Sequence, residues 1–326
     1  MNDILPAMSL RHRMVATLNQ SKEVSMVFQF IRQSHRLLAL PIILALFLLI
    51  TSCSGTTLHE DHDQAAGDII ETPADVIDYH ITFNGREYTI DHTGAIATDK
   101  TSFVIIKGGV YHLSGNREGQ IQISVSKEES VTLILDNLTL SCADSAAIYV
   151  KSAECVFIEV PEGKTSTLTD ASTYIYTIPG ETKPNACIYA SDDLTFRGLG
   201  TLNIKGNYNN GIGCKNDIVF KSGQVNVTAA NNGVKGEGSV TLQDNARLNI
   251  LYAEDGIKSD GVMANEGIIT IKGNAIASIS CADDALQATF SVTVDAGTTV
   301  YYDCEGSIVN SDGLSNVAEG TLKPLD

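Results

Sequence analysis

Tryptophan is absent from all 326 residues, so any flat stacking face has to come from tyrosine or phenylalanine. Basic residues are scarce, 22 against 39 acidic ones. Binding to nucleic acid requires a basic face to neutralise phosphates, and this balance argues against such a partner. The cysteines show no CxxC spacing, which removes the usual signature of a structural zinc site. A GxSxG nucleophile motif is missing as well. Beyond residue 75 no amphipathic helical period is visible, which points away from helical architectures.

Only one long apolar run exists, Leu37 to Ile50. It is shorter than the ~20 residues a spanning helix needs. Arg32 and Arg36 precede it, and Ile50-Thr51-Ser52-Cys53 follows. That order is expected of a signal peptide over residues 1–52 ending in a lipobox, with Met26 a plausible true start and Cys53 the lipidated first residue of the mature chain. Residues 53–75 are polar and read as a tether. The only expected contact with a membrane is through this lipid anchor. Ser54 and the acids nearby suggest an exported lipoprotein of the outer membrane or cell surface.

Five Lys/Arg and two Asp/Glu precede Cys53, so the mature part keeps 22 − 5 = 17 basic and 39 − 2 = 37 acidic residues, a formal charge of −20. Such a surface repels an anionic polymer unless a bound cation reverses the local sign. Six cysteines remain after Cys53, namely Cys142, Cys155, Cys187, Cys214, Cys281 and Cys304. Several fall in alternating apolar runs, which favours buried free thiols.

From residue 76 onward, short alternating apolar runs are separated by Gly, Asn and Asp turns, the grammar of strands and turns. Small-residue or glycine steps precede Ile148, Ile188, Ile212, Val234, Ile257, Leu286 and Ile308. Most neighbouring anchors lie 22 to 24 residues apart. The longer gaps before Ile188 and Leu286 imply insertions. Six and eight residues after four anchors come Leu194 and Phe196, Ile218 and Phe220, Val240 and Leu242, and Val292 and Val294, all apolar. Before three anchors, equivalent offsets hold Val225 and Val227, Leu248 and Ile250, and Ala277 and Ile279. An inward strand residue must keep both its face and its place in a coil. Each repeat therefore offers three short strands, and the expected fold is all-β, a single-stranded right-handed parallel β-helix with coils of about 22 residues over 76–326.

Several stretches carry a family likeness: VIIKGGVYHLSG at Val104 to Gly115, VTLILDNLTL at Val131 to Leu140, AAIYVKS at Ala146 to Ser152 and GNYNNG at Gly206 to Gly211. NGVKG at Asn232 to Gly236, DGIKSD at Asp255 to Asp260 and DDALQ at Asp283 to Gln287 continue it. Single segments of this kind are generic turn signals, but seven in one order are specific. From about residue 80 the chain closely resembles the bacterial carbohydrate-binding-domain family of β-helical proteins, relatives in fold of the pectate lyases. That resemblance implies a calcium-containing β-helix that binds plant-type polysaccharide such as cellulose or polygalacturonate, usually without demonstrated cleavage. Ala285 stands where the family pattern has glycine, and the chain stops soon after Ile308.

Stacked coils turn equivalent residues into columns spaced at ~4.8 Å. The turn before each anchor holds Asn209 and Asn210, then Asn231 and Asn232, then Glu254 and Asp255, then Asp283 and Asp284. Four stacked acids need separation, protonation or a hard cation that accepts six to eight oxygens. Calcium at Glu254, Asp255, Asp283 and Asp284, with Asp260 as a further ligand, is the expectation, and the resemblance supplies most of its support. The alternative is that Asn and Asp simply serve the turns. A second acidic region lies at Asp192, Asp193 and Asp217. The residue after each anchor forms an outward column of Tyr149, Tyr189, Gly213, Lys235, Lys258 and Gln287. Tyr149, Tyr189, Lys235, Lys258 and Gln287 are the candidate contacts for a polysaccharide.

A calcium-dependent lyase would need Lys235 or Lys258 as an uncharged base, and the neighbouring carboxylates disfavour that state. A hydrolase would need two carboxylates across a cleft rather than along one edge. Binding without catalysis is the favoured function, with a lyase as the alternative and a structural adhesin or stalk as a third class.

Overall fold

The computed structural model describes residues 78–98, 102–176 and 183–325. The chain divides into two units, Met1–Ile70 and Glu71–Asp326, and only the second contains described residues. The expected signal peptide, the start at Met26, Cys53 and the tether over 53–75 lie outside them.

The described residues form 28 strands and no helix. One coil illustrates the rest: strand Asn210–Cys214, a corner, strand Ile218–Phe220, a second corner, strand Gln224–Ala229, and a turn into Val234–Gly236 of the next coil. Each strand pairs in parallel with its equivalent one coil away. Three ladders result, called here the anchor, second and third faces. The anchor face is a ten-stranded sheet, and the other two faces join in an eighteen-stranded sheet. This is a parallel β-helix.

The register follows the spacing of the sequence. Ile148, Ile188, Ile212, Val234, Ile257 and Leu286 stack in one interior column. Leu194, Ile218, Val240, Ile269 and Val292 form a second, and Phe196, Phe220, Leu242, Ile271 and Val294 a third. Val225, Leu248 and Ala277, with Val227, Ile250 and Ile279, line the third face from inside. All of these are buried. Period-two alternation puts every second side chain inside, and each buried aliphatic or phenyl contributes about 1.5–3 kcal/mol. Ile121 extends the anchor column one coil earlier.

The last anchor differs from its expected position. Leu286 pairs with Val309, not Ile308. Ile308 instead accepts the Leu286 N–H through its carbonyl at 3.1 Å, because a parallel ladder bonds each amide to the residue before its partner.

Two antiparallel pairs close the N-terminal end of the core, Asp78–Gly85 with Glu87–Ile90 and Ile96–Thr98 with Ser102–Ile105. They bring Tyr88, Ile90 and Ile96 against it. At the corner after Asp193–Gly198, Gly198 adopts φ +100°, and a Cβ there would lie 2.2 Å from the Val160 carbonyl oxygen. Only glycine lets the two coils approach so closely.

Both expected insertions are present. The first leaves the third face after Thr169 and places Ala171 and Tyr174 over the outside of the anchor face. The second is the loop from Gly261 to Gly267. The cysteines depart in part from the free-thiol expectation: Cys142, Cys187 and Cys214 are buried free thiols and Cys155 is a half-buried one, but Cys281 and Cys304 form a disulfide. Both occupy one rung position on the third face, where coil stacking puts their Cα atoms 4.7 Å apart, within bridging range.

Candidate functional site

The anchor strands place one side chain per coil on the outside, because the residue after each inward anchor must face the opposite way. In register this column runs Gln122, Tyr149, Tyr189, Gly213, Lys235, Lys258, Gln287 and Asn310. Gln122 and Asn310 extend the set read from the sequence. Asn310 is visible only once Val309 is known to be the last anchor.

The N-terminal half of the column is covered. Tyr149 and Tyr189 are each 6% exposed, in a small apolar cluster with Ala146, Ala171, Tyr174 and Ala186. Burial pushes the Tyr189 phenol up to about 12. The covering residue Tyr174 donates to Asp170 Oδ2 at 2.6 Å and to the Ala186 carbonyl at 2.9 Å, and its ring stacks on Tyr208 at 4.1 Å. The tyrosine faces therefore pack inside the protein, and little ring surface is left for a ligand.

The open half begins at Lys235. Its Nζ lies 2.6 Å from Asp260 Oδ2, and Lys258 Nζ donates to Asp255 Oδ2 at 3.0 Å. In the next coil Gln287 Nε2 donates to Asp284 Oδ2 at 3.0 Å. For Lys258 and Gln287 the bonded carboxylate is three residues earlier, in the acidic turn, so turn and column bond laterally in these two coils.

The turn column changes chemistry along its length. Asn232 Nδ2 donates to Asn210 Oδ1 at 2.7 Å, and Asn231 Nδ2 to Asn209 Oδ1 at 2.9 Å. Asn232 Oδ1 and Asn210 Nδ2 are buried without a partner. In the following coils, Asp255, Asp283 and Asp284 bring carboxylate oxygens within 4.8 Å of one another. Glu254 and Asp260 are outside that group: Glu254 is exposed, and Asp260 is taken by Lys235. Asp255 Oδ1 also accepts the Asp284 N–H at 3.3 Å. Asp284 accepts from the Ser307 N–H at 2.7 Å and from Asn310 Nδ2 at 2.5 Å. Burial pushes the Asp284 carboxyl up, but the bonds from Asn310, Ser307 and Gln287 outweigh it, and the group sits below its ordinary value of 3.8.

The site fits a hard cation in its donor chemistry. Three carboxylates converge there, and one coil up the same column Asn232 Oδ1 is a buried acceptor with no donor. Oxygen donors of these kinds suit calcium, with water completing the shell. Lys258 is the internal competitor, since its ammonium already lies on Asp255.

The other acidic region serves the turns. Asp192 pairs with Lys127 and accepts the Ala153 N–H at 3.1 Å, and Asp217 accepts the Ser239 N–H at 2.8 Å.

Beside the open half of the column lies a groove of about 240 Å³ lined by Lys258, Gln287, Asn310, Asp260, Thr289 and Asp312, among others. A sequence profile of the carbohydrate-binding domain-containing protein family matches residues 99–321, the stretch that contains the whole column from Gln122 to Asn310. The chain belongs to that family. A carbohydrate-binding domain-containing protein of Acetivibrio thermocellus is 35% identical over 280 residues, which cover 86% of this chain and 94% of the relative. A solved structure of the polysaccharide lyase-like protein from C. thermocellum, a gadolinium derivative, superposes with a TM-score of 0.73 at 37% identity, covering 76% of this chain and 100% of that one. Membership of the carbohydrate-binding family and the lyase-like neighbour support binding of carbohydrate and agree with the β-helix.

Proposed function

We propose that this protein binds a polysaccharide along the open half of the anchor face without cleaving it, assisted by calcium at Asp255, Asp283 and Asp284. The observation that carries the reading is the outward column itself. Lys235, Lys258, Gln287 and Asn310 follow one another in register at coil spacing, a linear array suited to a linear polymer. Tyr149 and Tyr189 support the column from beneath the Tyr174 cover rather than stacking on sugar.

Calcium, when bound, would reverse the sign of the acidic turn and accept oxygens of an acidic glycan. Asp255, Asp283 and Asp284 would hold it, Asn232 Oδ1 is available as a neutral donor, and Lys258 would give up Asp255.

Binding is favoured over cleavage because both column lysines lie in ion pairs, at 2.6 and 3.0 Å, and a paired ammonium is a poor base. The lyase-like description of the neighbour keeps elimination as the second reading. An export route through Cys53 to the outer membrane or cell surface completes the proposal. The test is a glycan array probed with and without EDTA, then an absorbance assay for unsaturated uronate on every hit. Binding without product supports the proposal, whereas product formation transfers it to the lyase reading.

A further inference from the structure

All three histidines among the described residues, His80, His92 and His112, meet in one patch at the N-terminal end of the second face. His80 and His112 point outward from strands Asp78–Gly85 and Gly109–Glu118, where they share one rung in adjacent coils. Their rings stack at 4.4 Å with an interplanar angle of 12°. Asp91 spends both carboxylate oxygens on His80: Oδ1 accepts the backbone N–H at 2.9 Å, and Oδ2 lies 2.8 Å from Nδ1. A carboxylate only accepts, so Nδ1 carries the proton and the lone pair of a neutral His80 ring is left on Nε2. Asp78, two residues before His80 on the same face, has Oδ2 3.9 Å from His112 Nε2. That is too far for a hydrogen bond and somewhat wider than the ~3.3 Å between two donor atoms on a tetrahedral zinc ion.

We infer that His80 Nε2, His112 Nε2 and the Asp78 carboxylate form a surface site for a divalent transition-metal ion of the zinc class, with Asp91 as the positioning residue that fixes the His80 tautomer. Imidazole nitrogen selects such ions over calcium or magnesium, so the site differs in kind from the acidic turn. A carboxylate on the far nitrogen of a metal-binding histidine aligns the ring and raises its basicity. The donor atoms lie in a row rather than around one point: the parallel rings have to tilt toward each other, and Asp78 has to close its gap. The side chains of His80 and Asp78 are 62% and 57% exposed, so little packing opposes that movement. Water completes the shell. His92 approaches Asp91, at 4.0 Å, with its ring edge-on to Tyr79, and is left outside the set. Bound, the ion joins two successive coils beside the antiparallel pairs that close the core, and binding to the folded chain stabilises that end.

The test is a calorimetric titration of the full chain with Zn²⁺ in excess calcium. The background carries alanine at His12, His35, His59 and His62, so that the three described histidines are the only ones left. One zinc per chain is expected. His80→Ala with His112→Ala is expected to lower the affinity at least about a hundredfold, the upper end of what losing a single outer-shell partner costs. Asp91→Asn is expected to lower it about tenfold, with Asp91→Glu restoring most of the loss, and His92→Ala is expected to leave it unchanged. In the unmutated chain, zinc should shield His80 and His112, but not His92, from carbethoxylation mapped by peptide mass spectrometry, a readout that needs no variant to fold. No zinc uptake, uptake unchanged in the double variant, or a greater loss in His92→Ala than in His112→Ala would overturn the assignment. Equal modification of His80 and His112 with and without zinc would overturn it as well, and an unchanged affinity in Asp91→Asn would remove Asp91 from its positioning role.

Discussion

Phe220 is a severe test of the interior register. Its ring is 1% exposed and stacks on Phe196 at 4.8 Å with an 11° interplanar angle, while Leu242 occupies the same rung one coil further on. Truncation to alanine removes a stacked ring between two coils that cannot close over the gap. Losses for a buried Phe→Ala change run about 3–5 kcal/mol. At roughly 2–4 °C per kcal/mol for a unit of this size, the melting temperature is expected to fall by about 6–20 °C. Neighbouring coils stabilise one another in a solenoid, so the loss extends beyond a single coil. Thermal melts followed by far-ultraviolet circular dichroism measure it, with Val262→Ala, 86% exposed, as a control expected to stay within ~0.5 kcal/mol. Phe220→Asp is expected not to fold, since an unpaired charge would sit between coils. A Phe220→Ala protein melting within a degree or two of wild type would refute the stacking, and with it the register.

Further outcomes follow from the turns and the acids. Gly198→Ala is expected to destabilise by more than 1 kcal/mol, read by urea denaturation, because φ is positive and the new Cβ meets the Val160 carbonyl. Asp284 is held below its ordinary value, so its contribution to stability is present above the unfolded value of ~3.9 and disappears as pH falls through the lower folded value. Wild type should therefore lose more stability than Asp284→Asn as melts are taken from pH 5 downward. Calcium is expected to raise the melting temperature, by the equivalent of about 2.7 kcal/mol at a hundred times its dissociation constant, with EDTA reversing the gain and Asp255→Asn with Asp284→Asn abolishing it. Labelled palmitate should enter the wild-type precursor and not Cys53→Ala.

Much of the architecture is written in the spacing. Interior positions such as Ile218, Phe220, Val240 and Leu242 could be assigned because a strand residue that slips by one changes face, so selection for burial preserves the offsets. The outward column was legible for the same reason. Its accessibility was not: Tyr149 and Tyr189 are covered by Tyr174, which arrives on an insertion with no periodicity of its own. Asn310 was hidden by the shift from Ile308 to Val309, two adjacent apolar residues that pattern alone cannot rank. Stacking placed Glu254 with the other acids, and nearness in the same coil added Asp260. The structure separates them because Glu254 turns to solvent and Lys235, one coil away, reaches Asp260. The Cys281–Cys304 bridge depended on two thiols sharing a rung, a register statement that counting cysteines does not make.

The central claim is that the open half of the anchor face holds a polysaccharide and leaves it intact. Affinity electrophoresis of the mature protein through gels containing cellulose-type or polygalacturonate polymers, with calcium or EDTA, measures it directly when the same mixtures are read for unsaturated uronate absorbance. The expected result is retarded migration in at least one gel, reduced by Lys235→Ala with Lys258→Ala, and no absorbance increase. Unretarded migration in every gel, or retardation accompanied by product, would contradict it.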